Sequence, residues 1–128
     1  MGQVKESSTN FENRKIMNDA CPEVYAASIL GTQWTLAICS YLILGKHRFG
    51  ELRKKIPGIT ERMLTLKLRE LEQQQIVKRT VFAEVPPRVE YELTKIGKDL
   101  APLIAQLDTW GRKHKKLVNG RNTPEVKK

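Results

Sequence analysis

A chain of 128 residues with 40% hydrophobic side chains has enough apolar material for one compact domain and leaves no room for a second catalytic lobe. Its 23 Lys and Arg against 14 Asp and Glu give a formal charge of +9 and a pI near 9.8, which favours a polyanionic partner over the small metabolites of an ordinary enzyme. Two cysteines, Cys21 and Cys39, make neither a disulfide framework nor a four-ligand zinc site, so the chain reads as a cytoplasmic protein with no metal and no cofactor.

Residues 1–18 mix charges without sustained periodicity and contain no apolar run of signal-peptide type, so a flexible N-terminal arm or a short frayed helix is expected there. From Val24 to Gly45 no charged residue occurs, about the length that spans a bilayer. Ser28, Gly31, Thr32, Gln33, Thr35 and Ser40 interrupt that run, which fits two buried helices better than a membrane span. Asp19 or Cys21 can cap the first, with Pro22 at its opening position where no amide hydrogen is wasted, and it runs to Leu30. The second begins near Thr32, carries Trp34, Ile38, Tyr41 and Leu42 at spacings of three and four, and stops at Gly45.

Phe49, Leu52, Arg53 and Ile56 then mark a short amphipathic helix that Pro57-Gly58 ends. Thr60 is the expected N-cap of the next helix, whose inner face carries Leu64, Leu68 and Leu71 and which reaches about Gln74. A short helix, a tight Pro-Gly turn and a longer helix with its own apolar seam form a helix-turn-helix pattern. Beyond it the period falls to two. Val77, Arg79 and Val81 alternate with Lys78, Thr80 and Phe82, and Val89, Tyr91 and Leu93 with Glu90, Glu92 and Thr94, which predicts two strands of one hairpin. The connection Ala83 to Arg88 is too long and proline-rich for a two-residue turn and is expected to stand out as a stiff wing. Thr94 is expected to cap one long helix bearing Ile96, Leu100, Leu103, Leu107 and Trp110, bent at Pro102. Residues 19–114 would then form the body, and 115–128 a basic disordered tail. The fold class expected is mainly α with a small β-hairpin wing, a winged helix-turn-helix.

Between Lys46 and Arg69 there are eight Lys or Arg and only two acids, Glu51 and Glu61, so the excess charge is concentrated on this motif. At about 100° per residue, turning Leu64, Leu68 and Leu71 inward puts Arg62, Leu66 and Arg69 on the opposite face with Thr65 on its flank. A charge run on a helix is by itself most simply a solvated face. Here the neighbouring turn, cap and hairpin also suit docking in a DNA major groove. An arginine can donate two hydrogen bonds to guanine, a threonine can bond a base or a phosphate, and a leucine can touch a thymine methyl. Lys46, Arg48 and Lys54 are placed to meet phosphates, and Pro87 and Arg88 of the wing suit a minor-groove or phosphate contact. His47, between two cations, reads as a phosphate contact or plain surface.

In chain order the sequence contains C-P, I-L-G-x-x-W-T-L, R-F-G-E-L-R-K-K-I-P-G-I, T-E-R-M-L-T-x-x-L-R-E-L-E and E-V-P-P-R-V-E-Y-x-L-T. Together, over about Cys21 to Arg112, these strings resemble the HxlR-type winged helix-turn-helix transcription regulators, relatives of the MarR group. The resemblance implies a homodimer held by the first and last helices, acting on a palindromic operator in a bacterial promoter region, most simply as a repressor. Ile96, Leu100, Leu103, Leu107 and Trp110 are the expected dimer contacts, since one small domain can hardly bury so long a stripe. The resemblance also marks Cys21, before a proline, as a candidate sensor of a small-molecule signal, an oxidant or an electrophile. A thiol at a helix N-terminus faces the positive end of the dipole, which favours the thiolate in general. The plainer reading is a cysteine that caps and packs. Cys39, within the uncharged second helix, reads as a small core residue.

An enzyme finds little support, because His47 and His114 are far apart and neither H-E-x-x-H nor G-x-x-x-x-G-K occurs; a thiol-dependent enzyme using Cys21 is the form it would take. A non-specific architectural binder of nucleic acid would share the charge. Aromatic residues make up only 6% of the chain and none falls between Arg53 and Arg69, which favours a duplex over single strands.

Overall fold

The computed structural model describes the backbone of residues 2–121 and the side chains of residue 10 and residues 12–120. They fall into two compact units, one ending at Leu36 and one beginning at Ala37. The first unit contains α1 (Gly2–Ala20), α2 (Pro22–Leu30) and the opening turn of α3 (Gln33–Ile43). A continuous α1 replaces the expected arm. The helix has no apolar stripe, and its described side chains are exposed apart from a half-buried Asn18, with contacts to α2. Its carbonyl at Met17 accepts the Cys21 amide at 2.8 Å, which ties the end of α1 to the start of α2. Cys21 is the N-cap of α2 and Pro22 its first residue, as expected.

The uncharged run is broken between Leu30 and Gln33, and no single helix among the described residues is long and apolar enough to cross a membrane. Thr32 opens α3, its hydroxyl accepting the Thr35 amide at 3.2 Å.

The second unit is built around Ile38, Cys39 and Leu42 of α3, Leu52 and Ile56 of the helix-turn-helix entry, and Leu64, Leu68 and Leu71, all buried. Helix α4 (Phe49–Lys55) packs on α5 (Glu61–Gln73), as the apolar spacing predicts. Between them Pro57 stops α4 and Gly58 takes φ 80°, a left-handed conformation that costs a residue without Cβ little. Ile59 is buried, anchoring the turn.

Strands β2 (Val77–Phe82) and β3 (Arg88–Leu93) form the expected hairpin, with Val77 opposite Leu93 and Phe82 opposite Arg88. A third strand joins them. His47 and Arg48 form β1, which pairs with Tyr91 and Glu90 of β3, so the antiparallel sheet runs in the order β1-β3-β2. Two residues carry no readable period, which is why this strand is absent from the expectation.

The expected single C-terminal helix is two helices. Thr94 caps α6 (Lys95–Lys98), accepting the Gly97 amide at 3.2 Å, and the chain turns at Asp99 before α7 (Leu100–Arg121). Pro102 therefore does not bend a helix. It stands in the first turn of α7, where its missing amide hydrogen has no intrahelical partner to lose. At Gly97 a Cβ would collide with the Ile76 carbonyl and crowd the Leu93 side chain, so α6 lies hard against the root of the hairpin. Helix α7 also runs through residues 115–121, where the sequence predicts a disordered tail; residues 122–128 lie outside the described residues. No proline follows Pro102 within α7, and Asp108 accepts from the Arg112 guanidinium one turn on at 2.8 Å, a pairing that supports a helix exposed to water.

Candidate nucleic-acid interface

Helix α5 sorts its side chains by face. Thr60, extended at φ −87° and ψ 160°, accepts the Met63 amide at 3.1 Å and starts the helix. Leu64, Leu68 and Leu71 are buried, while Arg62, Leu66 and Arg69 are exposed and Thr65 is half-buried beside them. Leu66 is 49% exposed, a large apolar side chain held outward on the same side as two cations.

The cations of the motif divide into paired and free. Arg53 reaches Glu61 at 2.9 Å, bridging α4 to α5, and Lys67 reaches Glu70 at 3.3 Å. Lys46, Arg48, Lys54, Arg62 and Arg69 are exposed and enter no ion pair among the described residues. Those five include every motif cation expected to meet DNA. Sequence spacing is enough to suggest the Lys67–Glu70 pair; the Arg53–Glu61 pair depends on how the turn folds back.

Glu51 fixes the start of α4. Its carboxylate accepts the Arg48 amide at 2.7 Å, and that bond, with the nearby charges of Lys55 and Arg48 behind it, holds its pKa below the usual value against the opposing effect of desolvation. His47 is not surface: it is buried at 5% exposure. Its Nδ1–H donates to the Gly45 carbonyl at 2.7 Å, because a carbonyl can only accept, which leaves Nε2 to accept from Lys55 Nζ at 2.8 Å. Its pairing as a strand residue with Tyr91 turns the ring inward, so it braces the joint between sheet and α4 and is unavailable to a phosphate.

The wing differs from expectation in one residue. Pro87 is exposed, with Val85 and Pro86 beside it. Arg88, in contrast, is folded back, its guanidinium 3.1 Å from both Glu84 and Glu90 and 4.0 Å above the Phe82 ring. Its Nε is buried with no partner among the described residues. The antiparallel register that sets Arg88 opposite Phe82 produces this stack, so Arg88 is a brace of the wing with its charge matched.

Helix α7 carries a stripe of a different kind. Leu103, Leu107 and Trp110 are 41%, 44% and 63% exposed, Leu100 is half-buried, and Trp110 stacks on His114 at 4.9 Å between ring centroids. Ile96 is exposed on α6 and so belongs to a separate helix from the other four. In the first unit, Cys21 is half-buried and its thiol makes no capping hydrogen bond among the described residues. Cys39 is fully buried, and burial pushes its thiol up to about 11. Among the described residues no group of three or more His, Cys, Asp or Glu is placed to hold a metal ion.

A Thr-capped helix on a Pro-Gly turn, presenting unpaired arginines beside a three-stranded sheet with a projecting loop, defines a winged helix-turn-helix DNA-binding protein. Residues 29–119 match the family described as HxlR-like helix-turn-helix, and the chain belongs to that family. It is similar to the uncharacterised HTH-type transcriptional regulator YdeP of Bacillus subtilis (strain 168), at 45% identity over 91% of this chain and 85% of the relative. Among solved structures it is similar to the redox regulator HypR in its reduced form, with a TM-score of 0.73 and 41% identity over 77% of this chain and 98% of the other. It is also similar to diamide-treated YodB from B. subtilis, with a TM-score of 0.63 and 38% identity over 73% of this chain and 93% of that one. The protein is a DNA-binding transcription regulator and not an enzyme.

Proposed function

We propose that two copies of this chain form a homodimer that binds a palindromic operator, each laying α5 in the major groove, and that binding represses transcription until Cys21 is oxidised or alkylated. The observation that carries the reading is the division of α5 into a buried leucine face and an exposed face with Arg62, Leu66 and Arg69. Arg62 and Leu66, near the helix start, suit base edges, with Thr65 and Arg69 beside them. Thr60 aligns the helix, and Lys46, Arg48 and Lys54 supply phosphate contacts that carry affinity without sequence information. Pro87 stiffens the wing, and Arg88 braces it. The apolar residues of α7, too exposed for a helix at rest in water, support dimerisation through Leu100, Leu103, Leu107 and Trp110.

The test is a duplex enriched from a random pool by the full chain. Arg62→Ala is expected to relax discrimination at one position of each half-site by roughly 1–3 kcal/mol, whereas Lys54→Ala weakens all duplexes alike. Equal losses on enriched and random DNA for the Arg62 change would remove it from base reading, and a wild type without preference for any duplex would leave an architectural binder.

The sensor half of the proposal rests on a thiol that is half-buried and uncapped, and on the oxidised and diamide-treated states in which relatives have been solved. Cys39, held protonated by burial, is not a nucleophile at neutral pH. Two thiols therefore come from Cys21 of each protomer, or from Cys21 and a small thiol: an S–S bond forms, and diamide takes up the two hydrogens as its hydrazine. Cys21→Ser is expected to bind the operator normally and to lose the response to diamide. A response retained by that variant would exclude Cys21.

A further inference from the structure

Between the second half of α5 and the sheet lies a cleft of about 310 Å³, lined by Thr65, Leu68, Arg69 and Glu72 of the helix, Arg79 of β2 and Tyr91 of β3. Spacings of three and four bring Thr65, Arg69 and Glu72 to one side of α5. The antiparallel register sets Arg79 directly opposite Tyr91, so adjacent strands contribute a guanidinium and a phenol to the same space. Ion pairs elsewhere in this unit occupy Arg53, Lys67, Arg88 and Arg112, but Arg69, Arg79 and Glu72 enter none among the described residues. Two unpaired guanidiniums and one carboxylate leave the cleft with a single net positive charge.

A backbone phosphodiester carries a single negative charge and presents two free oxygens, which two guanidiniums can share. The position along the helix agrees. Arg69 lies seven residues beyond Arg62, two turns or about 10 Å further along the axis. A recognition helix reads bases with its N-terminal residues, so its later turns rise towards the sugar-phosphate edge of the groove. Across the cleft from that part of α5 stand Arg79 of β2 and Tyr91 of β3.

We propose that Arg69 and Arg79, with the hydroxyls of Thr65 and Tyr91, seat one DNA backbone phosphate per half-site in the cleft between α5 and the wing. This rests on the duplex-binding reading given above and deepens it. Arg69 then supplies affinity and register, and base reading narrows to the first turns of α5. Glu72 keeps the seat to one negative charge and weakens it; Arg79, which alternation along β2 groups with the apolar Val77 and Val81, becomes a DNA contact.

The experiment titrates the full chain with the duplex it enriches from a random pool and with copies in which one phosphodiester at a time is replaced by a neutral methylphosphonate. Among the positions at which replacement weakens binding of the wild type, one per half-site is expected to have no further effect in Arg79→Gln or Arg69→Gln, because the charge it would have met is already gone, while the positions met by Lys46, Arg48 and Lys54 keep theirs. Each variant is expected to lower the dependence of log Kd on log salt by about one per chain. Arg79→Lys restores that slope, and Glu72→Gln tightens binding to every duplex. Arg79→Gln that binds as the wild type does, or stays sensitive to the same methylphosphonate, would overturn the seat. A wild type that enriches no duplex would fail earlier, at the reading on which the seat depends. Thermal melting of each variant separates a lost contact from a lost fold.

Discussion

Helices α5 and α7 are both amphipathic, and both carry leucines at spacings of three and four, but they meet opposite fates within the same unit. Leu64, Leu68 and Leu71 of α5 are exposed to 0%, 2% and 2%, whereas Leu103 and Leu107 of α7 keep 41% and 44% of their surface in contact with solvent. The pattern states that a stripe wants to leave water; it does not state which chain will cover it. In α5 the cover is the rest of this unit, and the opposite face is free to carry unpaired cations. In α7 the cover proposed above is a second protomer.

The sharpest way to break that contrast is to truncate one leucine on each helix. Leu68→Ala leaves a cavity in a closed core and is expected to cost roughly 2–5 kcal/mol of unfolding free energy. Leu107→Ala removes contact area that the isolated chain does not bury, so it is expected to abolish the concentration dependence of Tm while changing little in the dissociated chain. Similar destabilisation of both at every concentration would mean that α7 is covered from within. A second, smaller effect concerns how α5 is started: Thr60→Ala removes the acceptor for the Met63 amide and is expected to cost about 1 kcal/mol, read by denaturant titration.

The smallest effect is a pH dependence at the entry to the motif. The Arg48 amide, followed by the nearby cations, depresses the Glu51 pKa, so the folded state binds that proton less readily than the unfolded chain does. Its stabilisation is complete above the ordinary carboxylate range and is lost as pH falls through the lowered folded value. The stability difference between the wild type and Glu51→Gln is therefore expected to be largest near neutral pH and to shrink as acid is added. A difference independent of pH would show that the Glu51 charge plays no part in holding the turn.

Most of the fold is readable in the sequence because local rules and burial agree. Pro22, Pro57-Gly58 and Thr60 punctuate the helices where backbone chemistry demands, and the change of period from about four to two at Val77 marks the sheet. The candidate interface is legible for the same reason: once Leu64, Leu68 and Leu71 face inward, geometry alone turns Arg62, Leu66 and Arg69 outward. Three features lie beyond such reading. β1 is too short for a period, the turn at Asp99 that splits the last helix carries no glycine or proline to announce it, and α1 shows no apolar stripe from which to read a helix.

The amino-acid order determined by itself which faces are apolar, where most helices start and stop, and that positive charge gathers on one motif, since these follow from neighbours a few residues apart. Only the tertiary structure decided which charges remain available. Arg88 has Glu84 and Glu90 close in sequence, but its stack on Phe82 needs the hairpin to close, and the bond of His47 to Lys55 joins β1 to α4. Electrostatic pairing acts over a few ångströms, and folding alone sets which groups come that close.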